Sequence, residues 1–330
     1  MDYYELYNIC EIKKKMKEYL RVILNGECNF SCPYCHKEGL KYISGHDYLL
    51  KSNSDFDITQ LFENAKRKNI KKIKFTGGEP LLYDSLIKKC IEHLPDFDFI
   101  GILTNGYNLT ENEDVLKDMN DSLKKKFRFT ISLNTLDKEK YIKITGNVNS
   151  DIDKLFNGID MLEANNIDFK FNTLVTKYNI DEIQNIIKYA VKKNADVNFL
   201  TLLNNTEIST PKIEPIELLT HVSKDEIKKS IENVIGAIFK EQYDGFYAKY
   251  KDITILIPKP IYHQKCDSAP CEQRRCLAAL NSIRVFNDYS MNICYADVLS
   301  KPGLDRFTDN INTMRERIEN TQLNIQHKFF

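Results

Sequence analysis

The sequence shows no net charge, no long apolar run and no apolar signal core in its opening residues, and each absence narrows the functions expected of it. Its 47 Lys and Arg balance 47 Asp and Glu over 330 residues, so the total points to no polyanionic partner such as nucleic acid or an anionic membrane. No stretch reaches the roughly 18 consecutive apolar residues that cross a bilayer, so no membrane partner is expected. The opening, MDYYELYNICEIKKKMKEYL, has no apolar signal core, and a cytoplasmic, reducing location is expected. In that setting clustered cysteines are metal ligands more readily than disulfides.

Cysteine is what the chain does have. There are nine, and seven fall in two clusters: Cys28, Cys32 and Cys35 near one end, and Cys266, Cys271, Cys276 and Cys294 near the other. Cys10 and Cys90 read as small buried apolar residues. The stretch CNFSCPYCHKEG packs its three thiols into eight residues and offers no fourth. A closed zinc site takes four N or S ligands, and His36 would complete it. Cys-x-x-x-Cys-x-x-Cys differs from the paired hairpins of zinc modules, however, and a loop this compact can hold three corners of a [4Fe-4S] cube. One iron is then left open to chelate a small molecule.

Around this loop the chain alternates. Strands are expected at Leu20 to Leu24, Ile70 to Phe75, Phe97 to Leu103, Phe127 to Leu133, Asp168 to Val175 and Asp196 to Leu203. Helices are expected at about 83 to 94, 111 to 125, 151 to 166 and 179 to 193, with another opened by a capping box at Asp57 to Gln60. Such alternation argues for an α/β fold with a parallel sheet, whose chemistry sits at the carboxyl ends of its strands. The cysteine loop, Thr76-Gly77-Gly78-Glu79-Pro80, Thr104-Asn105-Gly106 and Ser132-Leu133-Asn134 all lie at such ends.

Cys28-x-x-x-Cys32-x-Tyr34-Cys35, followed by Gly77-Gly78-Glu79-Pro80, resembles the radical S-adenosylmethionine (SAM) superfamily. The resemblance implies a partial (β/α)6 TIM-like barrel over residues 18–205, after a leader at 1–17 and before a C-terminal cysteine-rich α+β extension at 206–330. It implies a [4Fe-4S] cluster on Cys28, Cys32 and Cys35 that cleaves SAM to a 5′-deoxyadenosyl radical, which abstracts hydrogen from a substrate. Gly77 and Gly78 are then expected to let the backbone approach the ligand, Glu79 to meet the ammonium of its methionine part, and Tyr34 and Ser132 to touch SAM.

Within that superfamily the runs Ser132 to Gly146, Lys170 to Val175 and Asn179 to Glu182 are similar to the MoaA-type GTP cyclases. The similarity implies Arg21, Lys74, Thr104, Lys170 and Arg284 as substrate contacts. It weakens toward the C-terminus: Leu277 and Leu280 stand where a cysteine pair is expected, Ser282 replaces an arginine, Tyr83 takes another arginine's place, and the chain ends His327-Lys-Phe-Phe330 without a double glycine. Cys266, Cys271, Cys276 and Cys294 would close a second [4Fe-4S] cluster, or hold zinc. A small molecule or a peptide is the expected substrate, the peptide-maturing alternative being disfavoured by the roughly 20 residues before the first strand, where maturases carry a recognition domain of about 80 to 90. A flavodoxin or ferredoxin is the expected electron donor. Ser223 to Glu226 opens an amphipathic helix carrying Ile227, Ile231, Val234, Ile235 and Ile238, and Tyr250 to Ile257 reads as one strand.

Overall fold

The computed structural model describes residues 19–35, 49, 51, 53–83, 85–202, 215–242, 245–258, 282–293 and 300–327. His36 and the second cysteine group, Cys266, Cys271, Cys276 and Cys294, fall outside them, as does Cys10. The strands run mostly parallel, as the α/β expectation requires, and the chain divides into two compact units.

The first unit takes residues 1–27, 36–101 and 264–330. Here β1 (Tyr19–Ile23) lies parallel to both β2 (Lys72–Thr76) and β10 (Ser282–Phe286), and β11 (Met291–Asn292) returns antiparallel to β10. Helix α1 (Ile58–Arg67) buries Ile58, Leu61, Phe62 and Ala65, one stripe at helical spacing, against a core that includes Phe75 and Phe97. Asp57 caps it through the N–H of Thr59; the reciprocal half of the expected capping box does not form. Cys90 lies fully buried on α2 (Leu86–His93). The last helix, Phe307–His327, packs Phe307, Ile311 and Met314 inward.

The second unit takes residues 28–35 and 102–263, and β3 (Phe99–Thr104) is shared between the two. Its strands follow the order β4 (Phe127–Ser132), β5 (Asp168–Val175), β6 (Asp196–Thr201), β9 (Ile253–Pro258), β8 (Gly245–Tyr250) and β7 (Lys240–Gln242). The strand expected at Tyr250 to Ile257 forms from Ile253 onward as one arm of a hairpin, because Tyr250 ends β8 and Lys251 turns the chain at φ +52°. Its second arm runs parallel to β6 and continues that array. The expected helix at 111 to 125 is broken into Glu113–Lys117 and Asp121–Lys124, the second piece capped by Asn120. Strand β5 alternates buried Phe169, Phe171, Thr173 and Val175 with Lys170, Asn172 and Leu174 on the other face. The capping box of Ser223 and Glu226 forms in full on Lys224–Ile235; Ile238 lies past its glycine stop, highly exposed.

Three helices end alike. Asn69, Asn166 and Asn194 adopt φ between +46° and +55°, and the next residue, Ile70, Ile167 or Ala195, returns its N–H to the carbonyl of Ala65, Leu162 or Ala190 at 2.9–3.0 Å. This left-handed stop satisfies orphan carbonyls and points the chain straight into a buried strand.

Candidate active site

In the first unit the end of β2 is laced to the residues that lead into the cysteine loop. Leu24 donates its N–H to the Thr76 carbonyl (3.0 Å), Gly78 to Asn25 (2.6 Å) and Glu79 to Glu27 (2.7 Å). A Cβ at Gly78 would lie 1.7 Å from the Glu27 carbonyl oxygen, and one at Gly77, already at φ +143°, 2.6 Å from that of Asn25. The sequence expectation assigned this need for glycine to a ligand; the crowding comes from the protein's own backbone. Glu79 is 3% exposed, and its Oε1 accepts the N–H of Leu81, opening a short 3-10 turn with Pro80 at its first position.

In the second unit the cysteine loop is built as a turn, with the Cys35 N–H bonded to the Cys32 carbonyl (3.0 Å) and Pro33 presetting its second residue. Phe30 anchors it, buried edge-on against Tyr107 (5.4 Å) and Tyr141 (5.9 Å). Ser31 donates to the carbonyl of Thr145, which ends the helix Lys138–Thr145, and Gly146, at φ +63°, sits so close that a Cβ would lie 2.5 Å from the Ser31 oxygen. The Asn147 amide donates to the Asn29 carbonyl at 3.0 Å. Residues 29 to 31 are thus fixed, while Cys28 and Cys35 stay exposed and Cys32 half-buried.

The charge state of these thiols indicates what they need. Burial, then the neighbouring Cys35 and Cys28, pushes the Cys32 thiol up to about 12. A buried thiol beside two others resists ionising and calls for a cation, since a metal deprotonates its thiol ligands outright. Among the described residues no three His, Cys, Asp or Glu side chains converge tightly enough for a single ion. An iron-sulfur cube takes one thiolate per iron, so its ligands surround the cube and stand farther apart than those of a single ion. This donor set fits a cluster.

Tyr34 accepts a hydrogen bond from the Asn134 amide (2.7 Å), and burial holds its phenol well above the usual tyrosine range. Asn134 is itself held, its Oδ1 accepting the N–H of Leu174 (2.8 Å) and its carbonyl the amide of Asn179 (2.7 Å). The sequence reading did not single out Asn134 as a contact, because only the fold brings residues 34 and 134 together. Ser132 is exposed at the end of β4, in register with Asn172. Thr104 is buried, its hydroxyl accepting the Gly106 N–H (2.9 Å).

The basic residues assigned to substrate separate into two groups. In the first unit Arg284, Arg21 and Lys74 are direct register neighbours on three adjacent strands, so their side chains leave the same face. Lys74 lies over the Tyr19 ring (4.9 Å); Arg284, 2% exposed, lies over Phe286 (5.2 Å) and donates to Asn292 (3.2 Å). In the second unit Lys170 stands in register with Thr130 and Asp196. Burial and then Arg128 draw its ammonium below the usual lysine range, opposed by Asp196 and Asp168.

Comparison with known proteins agrees with this geometry. The sequence profile of the Radical SAM superfamily matches residues 22–190. GTP 3',8-cyclase of Campylobacter jejuni (strain RM1221) is 32% identical over 263 residues, 76% of this chain and 75% of the relative. That of Clostridium perfringens (strain SM101 / Type A) is 31% identical over 189 residues, 56% of this chain and 55% of the relative, so the chain matches about half of that relative's length. Among solved structures, Streptococcus suis SuiB bound to S-adenosylmethionine superimposes with a TM-score of 0.60 at 14% identity, over 92% of this chain and 69% of that one, a likeness of fold. The profile match spans more than half of the sequence and contains both the cysteine loop and the Gly-Gly-Glu-Pro turn, and the chain therefore belongs to the radical SAM superfamily, enzymes that work with a [4Fe-4S] cluster and S-adenosylmethionine.

Proposed function

We propose that this enzyme acts on a purine nucleoside triphosphate, in the manner of the GTP 3',8-cyclases to which it is similar. The observation that carries the reading is the row Arg284, Arg21 and Lys74. Three cations that leave one face of neighbouring strands can each give a charge-assisted contact to an anion bound across them. A triphosphate matches three such cations, with Thr104 and Lys170 as the remaining substrate contacts.

When bound, the cluster and SAM supply one-electron chemistry that removes a hydrogen atom from the substrate. Cys28, Cys32 and Cys35 would hold the cluster through three of its irons, with the fourth available to SAM. Glu79, at the end of β2, would meet the cationic end of its methionine part, and Gly77 and Gly78 hold that carboxylate in place. Tyr34, held by Asn134, and Ser132 border the same ligand. Cys266, Cys271, Cys276 and Cys294 are assigned a second, closed [4Fe-4S] cluster. A flavodoxin or ferredoxin in the cytoplasm supplies the electron, and no nucleic acid takes part.

Equilibrium binding of GTP to anaerobically reconstituted protein tests the substrate. Saturable binding is expected, weakened at least about tenfold in Arg21→Ala and in Lys74→Ala, the size of one charge-assisted contact. Formation of 5′-deoxyadenosine is expected from the wild type and not from Cys32→Ala. Protein that makes 5′-deoxyadenosine yet is indifferent to nucleotides defeats the nucleotide reading and favours a peptide substrate.

A further inference from the structure

Asparagines crowd the first cysteine. The Asn105 amide nitrogen lies 3.8 Å from the Cys28 sulfur and 2.7 Å from the Asn29 side-chain oxygen. We propose that Asn105 is a positioning residue for the first cluster: its side-chain N–H donates to the Cys28 sulfur and raises the cluster's reduction potential. The proposal rests on the reading that Cys28, Cys32 and Cys35 hold that cluster.

Orientation decides which end of the amide faces the sulfur, and neighbouring groups fix it. The Asn105 oxygen accepts the N–H of Tyr107 at 2.9 Å, so the oxygen end is occupied and the NH2 end must face Cys28 and Asn29. Asn29 is fixed in turn: its amide donates to the Asn108 oxygen (3.3 Å), and Asn108 donates to the Glu111 carboxylate (2.7 Å). A carboxylate accepts only, so every amide in the series has one orientation. The NH2 group of Asn105 carries two hydrogens; one meets Asn29 and the other is left for the sulfur.

On binding iron, Cys28 loses its own hydrogen and becomes purely an acceptor. The backbone N–H of Phe30, 3.4 Å away, then joins Asn105 as a second donor to the same sulfur. An added electron places more negative charge on the cysteine sulfurs, and N–H donors stabilise that charge. Hydrogen bonds to the sulfurs are among the levers that set such potentials. The backbone donor cannot be removed by substitution. Asn105 can.

The test is a redox titration of the anaerobically reconstituted enzyme followed by electron paramagnetic resonance, the first cluster being identified by the change in its signal when SAM is added. At the wild-type midpoint, Asn105→Leu is expected to show a tenfold lower ratio of reduced to oxidised cluster, equivalent to about 59 mV for one electron. Asn105→Asp, which puts an acceptor and a negative charge in the donor's place, shifts further the same way. Asn108→Leu, which leaves the donor on Asn105, keeps the wild-type midpoint. An iron-loaded Asn105→Leu that titrates with the wild type overturns the proposal. If that variant takes up no iron, wild-type protein grown with 15N in the asparagine side chains decides: a 15N coupling to the reduced cluster supports the assignment, and its absence overturns it. Wild-type protein that holds no iron at Cys28, Cys32 and Cys35 overturns the cluster reading itself, a different failure from an unmoved midpoint.

Discussion

The two units each carry a polar row across parallel strands, and the rows handle charge in opposite ways. In the second unit Thr130, Lys170 and Asp196 lie in register, the lysine next to an acid, and Asp196 is further held by the Thr254 N–H at 2.7 Å. A little along the same strands Arg128 bonds Asp168, and Asn198 bonds Asn172 at 2.8 Å. This row balances itself. In the first unit the register places Arg284, Arg21 and Lys74 side by side, cation against cation. The contacts that position them include aromatic rings and an amide. One row sets its lysine beside an acid, whereas the other gathers cations on one face, the arrangement that an anionic ligand would meet.

The sharpest way to break this contrast is Arg21→Glu, which gives the basic row the charge balance of the other. Nucleotide affinity should fall about 100-fold or more, since a contact is lost and a repulsion gained. The melting temperature should stay close to that of the wild type, because Arg284 and Lys74 then flank an acid. Binding and melting measured on one preparation check both; a protein that loses stability along with affinity would show that the row is structural. Lys74→Ala should cost about tenfold in affinity, again without loss of stability.

Lys170→Met probes the balanced row through pH. The ammonium of Lys170 is held below its ordinary 10.5, so at neutral pH the unfolded chain keeps that proton more readily than the folded one. The wild type is therefore penalised at pH 7, and the penalty fades as pH rises toward 10.5. Thermal unfolding should find the methionine variant ahead at pH 7, its lead shrinking with alkalinity; a constant lead would remove the electrostatic account. The smallest expected effect is that of Asn172→Leu, which strands the amide of Asn198 and should cost about 1 kcal/mol in denaturant unfolding.

Much of this was legible beforehand, for reasons that differ by feature. Strand β5 was read residue for residue, because Phe169, Phe171 and Val175 recur at alternate positions on its buried face. The Ser223 capping box could be read because both partners lie within four residues. Local breaks were harder: Asn120 restarts a helix, and Lys251 accepts a left-handed turn, although neighbouring residues continue the apolar pattern. The three thiols stood out by spacing alone. Their surroundings did not, since Asn29, Asn105, Asn108 and Asn134 can each donate or accept, and only the fold decides which amide meets which sulfur or phenol. For Gly77 and Gly78 the residue type was a fair signal of tight approach, but the approaching atoms were the protein's own.

Glycines grip the lead-in and the middle of the cysteine loop from far downstream: Gly78 closes on Glu27, 51 positions earlier (78 − 27), and Gly146 on Ser31, 115 earlier (146 − 31). A chain emerging from the ribosome therefore exposes its thiols long before either grip exists. Ordering that loop awaits synthesis of nearly half the polypeptide, so a cluster held there would complete a prepared cradle rather than seed one. Premature metal would meet a loose ribbon.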